Sequence, residues 1–183
     1  MLSREQASAT LLKSEIIFSE QQIQAAVVRM AKEINEVMAD VHPLVLSVMG
    51  GAVVFTGQLL PLLTFPLDFD YVHVSRYGNS QQGGEMNWKV APQENVRGRV
   101  VMVVDDILDE GETLYAVRQR VMALGATHFY SAIFADKMNG KTKPIQADFV
   151  GIQVPDRFVF GYGMDIQGAW RNLPAIYATR EEN

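Results

Sequence analysis

Between residues 20 and 39, Ile23, Val27, Met30, Ile34 and Val37 recur three or four positions apart. That spacing predicts a helix with one apolar face. Ser19 followed by Gln22 fits a capping box at its start, each side chain satisfying an orphan backbone donor. The pattern then changes period. Leu44 to Met49 is a short, continuous apolar run, as expected of a parallel strand buried on both faces. Gly50-Gly51 ends it, Val53 to Leu63 reads as a second helix, and Leu67 to Ser75 as a second strand. Arg99 to Val104 is the strongest strand in the chain. Leu114, Val117, Val121 and Leu124 mark a helix that stops at Gly125, a good residue for the left-handed position after a helix. His128–Phe134, Asp148–Val154 and Phe158–Phe160 follow as strands, and a last apolar run lies near Ala175–Ala178.

Strands alternating with helices predict an α/β fold with a mostly parallel sheet. In such sheets ligands bind beyond the carboxyl ends of the strands. That rule directs attention to Gly50-Gly51, to Asp105–Thr113 and to Asp136-Lys137. Residues 78–95 break the alternation with a polar, glycine-rich stretch, Gly78 to Gly84, and read as a long irregular loop.

The chain of 183 residues suits one domain, and its 48% apolar and 20% charged composition is that of an ordinary globular protein. The net charge of −5 argues against a non-specific nucleic-acid binder, which needs clustered Lys and Arg. A bound phosphate is then expected to be held locally, by backbone N–H groups, a few cations or a metal. Cysteine is absent, which excludes disulfides, thiolate metal sites and a Cys nucleophile. His42, His73 and His128 are scattered without ligand spacing and read as surface or structural residues. The N-terminus lacks the apolar run of a signal peptide and no stretch is long enough for a membrane helix, so a cytoplasmic protein is expected.

The strand Val100–Val104 runs into Asp105-Asp106, then Ile107-Leu108, then the turn Asp109-Glu110-Gly111-Glu112-Thr113, which opens a helix. Orphan N–H groups at a helix start, helped by the helix dipole, bind phosphate. Gly111 lets the backbone approach closely, and Thr113 adds a hydroxyl donor. The acidic pair is placed to accept hydrogen bonds from sugar hydroxyls, directly or through a hard cation such as Mg²⁺. Together these parts read as a turn that holds a phosphorylated ribose. The plainer alternative, an acidic strand end with Asp109 as an ordinary helix cap, explains the pieces singly but not the whole string.

The string Val103–Thr113 resembles the phosphoribosyl-pyrophosphate signature of type I phosphoribosyltransferases. Met49-Gly50-Gly51 resembles their pyrophosphate loop, and Ser75-Arg76-Tyr77-Gly78-Asn79 the opening of their mobile catalytic loop. Lys137, just past a strand, and Asp156–Asp165 followed by Arg171 resemble the base-binding hood of the hypoxanthine-guanine branch. The match runs in order from about residue 15 to 178.

The resemblance implies one domain over residues 1–183, with a core at about 20–150, a hood from about 1–18 and 151–183, and a lid at about 76–90. It implies Mg²⁺-dependent transfer of ribose 5-phosphate from phosphoribosyl pyrophosphate to N9 of hypoxanthine or guanine. By that resemblance Asp105 and Asp106 hold the ribose, partly through Mg²⁺, and Asp109 is the general base at purine N7. Residues 109–113 (Asp109, Glu110, Gly111, Glu112, Thr113) cradle the 5′-phosphate. Lys137 donates to O6, Phe158 stacks on the purine, and Val159 and Arg157 belong to the base side. Asp165 binds a second Mg²⁺. Arg171, Gly50 and Gly51 contact pyrophosphate, and Arg76 and Tyr77 close over the centre. A homodimer or homotetramer is implied in the same way.

Four residues depart from the pattern or lack a role. Met49 stands where many relatives carry a lysine. Glu110 and Glu112 set negative charge beside a phosphate turn, so both are expected to point outward. Trp88 is unexplained. Two other readings of the same chain are a regulator of this fold that binds nucleotide and nucleic acid, and a xanthine-preferring transferase.

Overall fold

In a computed structural model the chain is described over residues 1–76 and 86–180. Residues 77–85, which include Tyr77 and the stretch Gly78 to Gly84, and the last three residues lie outside the described residues. The elements are α1 Arg4–Leu12, β1 Ser14–Phe18, α2 Glu20–Met38, β2 Leu44–Met49, α3 Val53–Leu59, β3 Asp68–Arg76, β4 Met86–Val90, β5 Val100–Leu108, α4 Glu112–Ala123, β6 His128–Met138, β7 Phe149–Pro155, β8 Val159–Phe160 and β9 Ile176–Thr179. A six-stranded sheet has the order β4-β3-β2-β5-β6-β7, parallel except for the antiparallel edge strand β4. The segments at the two ends of the chain form a separate three-stranded sheet, β1-β9-β8.

The continuous apolar run in β5 is explained by two-sided burial. Side chains alternate across a strand. Met102 and Val104 therefore pack with α2 and α3, while Val101 and Val103 pack with α4. Helix α2 presents Ile23, Val27, Met30 and Ile34, each fully buried, to the first of these clusters. The Ser19–Gln22 capping box is formed. Val37 departs from expectation: it is exposed, and Met38, one position on, takes the buried place.

Several boundaries differ from the expected ones. The helix expected to reach Leu63 ends at Leu59 and tightens into a 3₁₀ turn, Leu60–Leu62, at Pro61, which lacks an N–H for the α pattern. Strands β5 and β6 outrun their apolar stretches, to Leu108 and Met138, because their parallel ladder continues to the pair Leu108–Asp136 and β7 then pairs Lys137 with Val154 and Met138 with Pro155. Asp105, Asp106 and Lys137 therefore lie on strands and not beyond them.

Part of the expected loop at 78–95 is β4. It pairs with β3, Val74 opposite Trp88, and the half-buried Trp88 packs on the cluster that includes Val74 and Val72. The alternation Met86, Trp88, Val90 carried that signal behind the glycine-rich stretch. Helix α1 and strand β1 lie outside the expected elements. Ser3 and Gln6 form the same capping box as Ser19 and Gln22 and would have marked α1.

Candidate active site

The carboxyl ends of β2, β3 and β5 open onto a cleft of about 350 Å³. Gly50, Gly51, Asp105, Asp106, Asp109, Glu110, Gly111, Thr113, Asp165 and Arg171 all line it. Residues far apart in the chain meet here because parallel strands end on one side of the sheet.

Asp105 is buried, and its carboxylate accepts from the Asp106 N–H at 2.9 Å. Asp106 accepts in turn from the Ile107 N–H at 2.8 Å. Burial pushes the Asp105 carboxyl well above the usual carboxylate range, and the Asp106 charge adds to this. Asp106 is also raised by burial, and hydrogen bonds and Arg171 counter part of that. Two desolvated acidic oxygens side by side are suited to sugar hydroxyls or a hard cation, either of which compensates their charge.

Gly51 fits against this pair without room for a side chain. A Cβ there would overlap the Asp106 carboxylate, and a Cβ on Gly163 would overlap the Gly51 carbonyl. The β2–α3 turn is thus sandwiched between the end of β5 and the 161–171 segment. That segment is anchored by Tyr162. Its ring lies 4.5 Å from Phe134, and its hydroxyl donates to Gln58 at 2.7 Å. Arg171 then reaches Asp165 Oδ1 at 2.5 Å and donates to the Gly163 carbonyl at 2.6 Å. The other Asp165 oxygen accepts from the Gly168 N–H.

Gly111, left-handed at φ 85°, stands at the cap position just before helix α4, whose first turn receives no side-chain cap. Asp109 is therefore not an ordinary helix cap, and the first N–H groups of α4 stay available to a ligand. The carboxylate of Asp109 pairs with Lys137 Nζ at 2.8 Å and accepts from Asn139 Nδ2 at 3.2 Å. The half-buried Thr113 lines the cleft beside the turn. Glu112 is exposed and, among the described residues, is not part of the cleft wall. Glu110 does line the cleft, and its carboxylate meets Lys141 Nζ at 2.9 Å.

The base-side residues are placed differently. Lys137, mostly buried, pairs with the cleft residue Asp109 and itself lines a neighbouring cavity of about 590 Å³. Phe158 is 52% exposed, so it is not a core residue, while Val159 is buried in β8 opposite Ala178. The Arg157 guanidinium is turned to Glu15 at 2.8 Å and the Thr179 carbonyl at 2.7 Å, which ties β1 to β9 and the turn before β8 and does not bring it into the cleft. Arg76 ends β3, opposite Met86.

Four residues to which the sequence assigned no place in the site join it. His73 and Ser75 line the cleft from β3, as a strand between β2 and β4 requires. Asn139 and Lys143 hold the Asp109 turn from the loop after β6. Their sequence context, Met-Asn-Gly-Lys-Thr-Lys, carries no motif.

For a divalent cation, the donor set has a definite character. Among the described residues no group of three or more His, Cys, Asp or Glu could hold a metal unaided. Asp105 and Asp106 supply hard oxygen donors of the kind Mg²⁺ shares with substrate oxygens and water. The residues fit a cation brought with a phosphorylated substrate.

Comparison with known proteins agrees with this geometry. The phosphoribosyl transferase domain model matches residues 13–167. The hypoxanthine-guanine phosphoribosyltransferase of Bacillus subtilis (strain 168) is 35% identical, over 88% of this chain and 91% of that one. The hypoxanthine-guanine-xanthine phosphoribosyltransferase of Tritrichomonas foetus is 31% identical, over 91% of each. A crystal structure of a hypoxanthine-guanine phosphoribosyltransferase from Bacillus anthracis superposes with a TM-score of 0.85 at 29% identity, covering 91% of this chain and 98% of that one. With the strand-end acids, the uncapped turn and the glycine sandwich in place, the chain belongs to the phosphoribosyltransferase family, in its hypoxanthine-guanine branch.

Proposed function

We propose that this enzyme moves ribose 5-phosphate from phosphoribosyl pyrophosphate to N9 of hypoxanthine or guanine, releasing pyrophosphate, with Mg²⁺. The observation that carries the reading is the Asp109–Lys137 pair, 2.8 Å apart, whose carboxylate member lines the same cleft as Asp105 and Asp106. A carboxylate beside an ammonium matches the N7 and O6 edge of a 6-oxopurine, which offers a proton and an acceptor side by side. Adenine's exocyclic amine would meet the ammonium as donor against donor.

Asp105 and Asp106 hold the ribose hydroxyls, and they are the residues that would hold Mg²⁺. The cation supplies charge neutralisation for the leaving pyrophosphate. The N–H groups opening α4, with Thr113, take the 5′-phosphate. Arg171 and the open backbone at Gly50 and Gly51 face the pyrophosphate, with Asp165 orienting Arg171 or sharing a second cation. As the sugar gains oxocarbenium character, Asp109 accepts the N7 proton and Lys137 steadies O6. The protein's contribution is position and charge. Phe158 offers its exposed ring to the purine face, and Val159 a backbone edge. Arg76 and Tyr77 open the proposed lid, whose closing over the centre would exclude water; residues 77–85 lie outside the described residues, and 86–90 belong to β4 instead. The small sheet β1-β9-β8 is the hood, and the whole chain acts as one domain. A homodimer or homotetramer acting in the cytoplasm completes the proposal.

The test is a base panel of hypoxanthine, guanine, xanthine and adenine with phosphoribosyl pyrophosphate, with and without Mg²⁺. Turnover of hypoxanthine or guanine, loss of it without Mg²⁺, and none with adenine are expected. Adenine turnover at a comparable rate refutes the assignment. Xanthine belongs in the panel because the Tritrichomonas foetus relative is named for it.

A further inference from the structure

Lys143 lies outside every motif, yet its ammonium is mostly buried and uses all three of its donors. It donates to the Leu108 carbonyl at 2.8 Å, to the Lys137 carbonyl at 2.7 Å and to the Asp136 carboxylate. Leu108 is the last residue of β5, and its carbonyl belongs to the peptide plane that leads into Asp109. Lys137 lies on β6, one residue past the Asp136 that pairs with Leu108. The two carbonyls lie where the β5–β6 ladder gives out.

The same residue reaches the far side of the turn. A Cβ on Gly111 would stand 3.4 Å from the Lys143 Cβ and 3.2 Å from Pro144. Lys143 therefore borders the turn at Leu108 and again at Gly111, with Asp109 and Glu110 between. Asn139 adds a donor to the Asp109 main-chain carbonyl at 3.0 Å. A buried ammonium is costly unless paired, and Asp136 is the pair that lets it sit there.

We propose that Lys143 is a positioning residue that fixes the Asp109 turn and the Lys137 backbone relative to each other, and so sets the spacing of the base-reading pair. This rests on the transferase reading given above. Lys143 touches no substrate. It acts through the two carbonyls, so its loss should disturb transfer to the base more than capture of the sugar phosphate.

The informative variant is Lys143→Met combined with Asp136→Asn. It removes both charges, so no unpaired carboxylate is left buried, and the fold is expected to persist. With the holoenzyme, hypoxanthine and Mg²⁺, kcat should fall about 10²-fold, the scale of a 1 Å misplacement. The KM for hypoxanthine should rise, while the Kd for phosphoribosyl pyrophosphate should stay within about threefold. Lys143→Arg, which keeps a charged donor, should recover part of kcat. Wild-type kcat and KM in the double variant overturn the proposal. So does a uniform loss of both substrates that tracks a fall in Tm. Should the wild type transfer ribose 5-phosphate to no 6-oxopurine, the transferase reading fails by itself. Lys143 is then judged by the ¹⁵N shift of the Lys137 ammonium: a change in the double variant supports it, and an unchanged shift overturns it.

Discussion

Asp105 and Asp106 show how one residue's environment sets both chemistry and stability. Burial raises the Asp105 carboxyl well above its ordinary range, so the folded chain holds that proton more tightly than the unfolded chain does. The stabilisation is present below the ordinary carboxylate range and is lost as pH rises through the raised value. Asp105→Asn removes that loss. Its Tm advantage over the ligand-free wild type should widen by calorimetry as pH rises above the ordinary carboxylate range, while its activity collapses. A gap that narrows as pH rises contradicts the burial argument. Asp109→Asn should keep phosphoribosyl pyrophosphate affinity and cut kcat by about 10²–10⁴-fold, the usual range for a lost general base. An unchanged kcat removes Asp109 from that role. Gly51→Ala sets a methyl against the Asp106 carboxylate. Overpacking of this kind costs about 1–3 kcal/mol in chemical denaturation, and the KM for phosphoribosyl pyrophosphate should rise as well. These positions were unequally legible. The acidic string stood out because its residue types sit at motif spacing. Lys143, Asn139 and His73 did not, because a buried donor and a surface one look alike until the chain brings acceptors to them.

At the scale of elements, the start of α4 carries the phosphate proposal. Gly111 opens the helix without a side-chain cap, and Glu112 in its first turn is exposed. Glu112→Gln should lose about 0.3–1 kcal/mol of helix-dipole stabilisation. It should leave the KM for phosphoribosyl pyrophosphate within about twofold in steady-state kinetics. A several-fold fall in KM would mean that Glu112 repels the phosphate and faces it. Element types were readable where burial on both faces made the pattern continuous, as in β2 and β5. Boundaries were not. β5 continues through Asp106 alongside β6, and β6 through Lys137 alongside β7, because neighbouring strands supply hydrogen-bond partners, which local propensity does not record. Strand β4 was hidden for a related reason: an edge strand needs only a partner and one packed face, here Trp88 on the cluster with Val74.

For the whole molecule, ligand and fold are coupled, because the cleft joins segments from the first half of the chain, from β5–α4 and from the 161–171 segment. Phosphoribosyl pyrophosphate with Mg²⁺ at about 100 times Kd should stabilise the chain by about 2.7 kcal/mol, read as a rise in Tm. An unchanged Tm at saturation would dissociate the cleft from that ligand. The sequence by itself determined the alternation of strands and helices and the turn from Asp105 to Thr113. Both are short-range patterns, written in residues within a few positions of each other. Only the tertiary structure decided the Asp109–Lys137 pairing, the packing of Gly163 against Gly51 and the Lys143 bridge between two strand ends. Those contacts join residues distant in the chain, and their geometry comes from the stacking order of a parallel sheet, which no local pattern encodes.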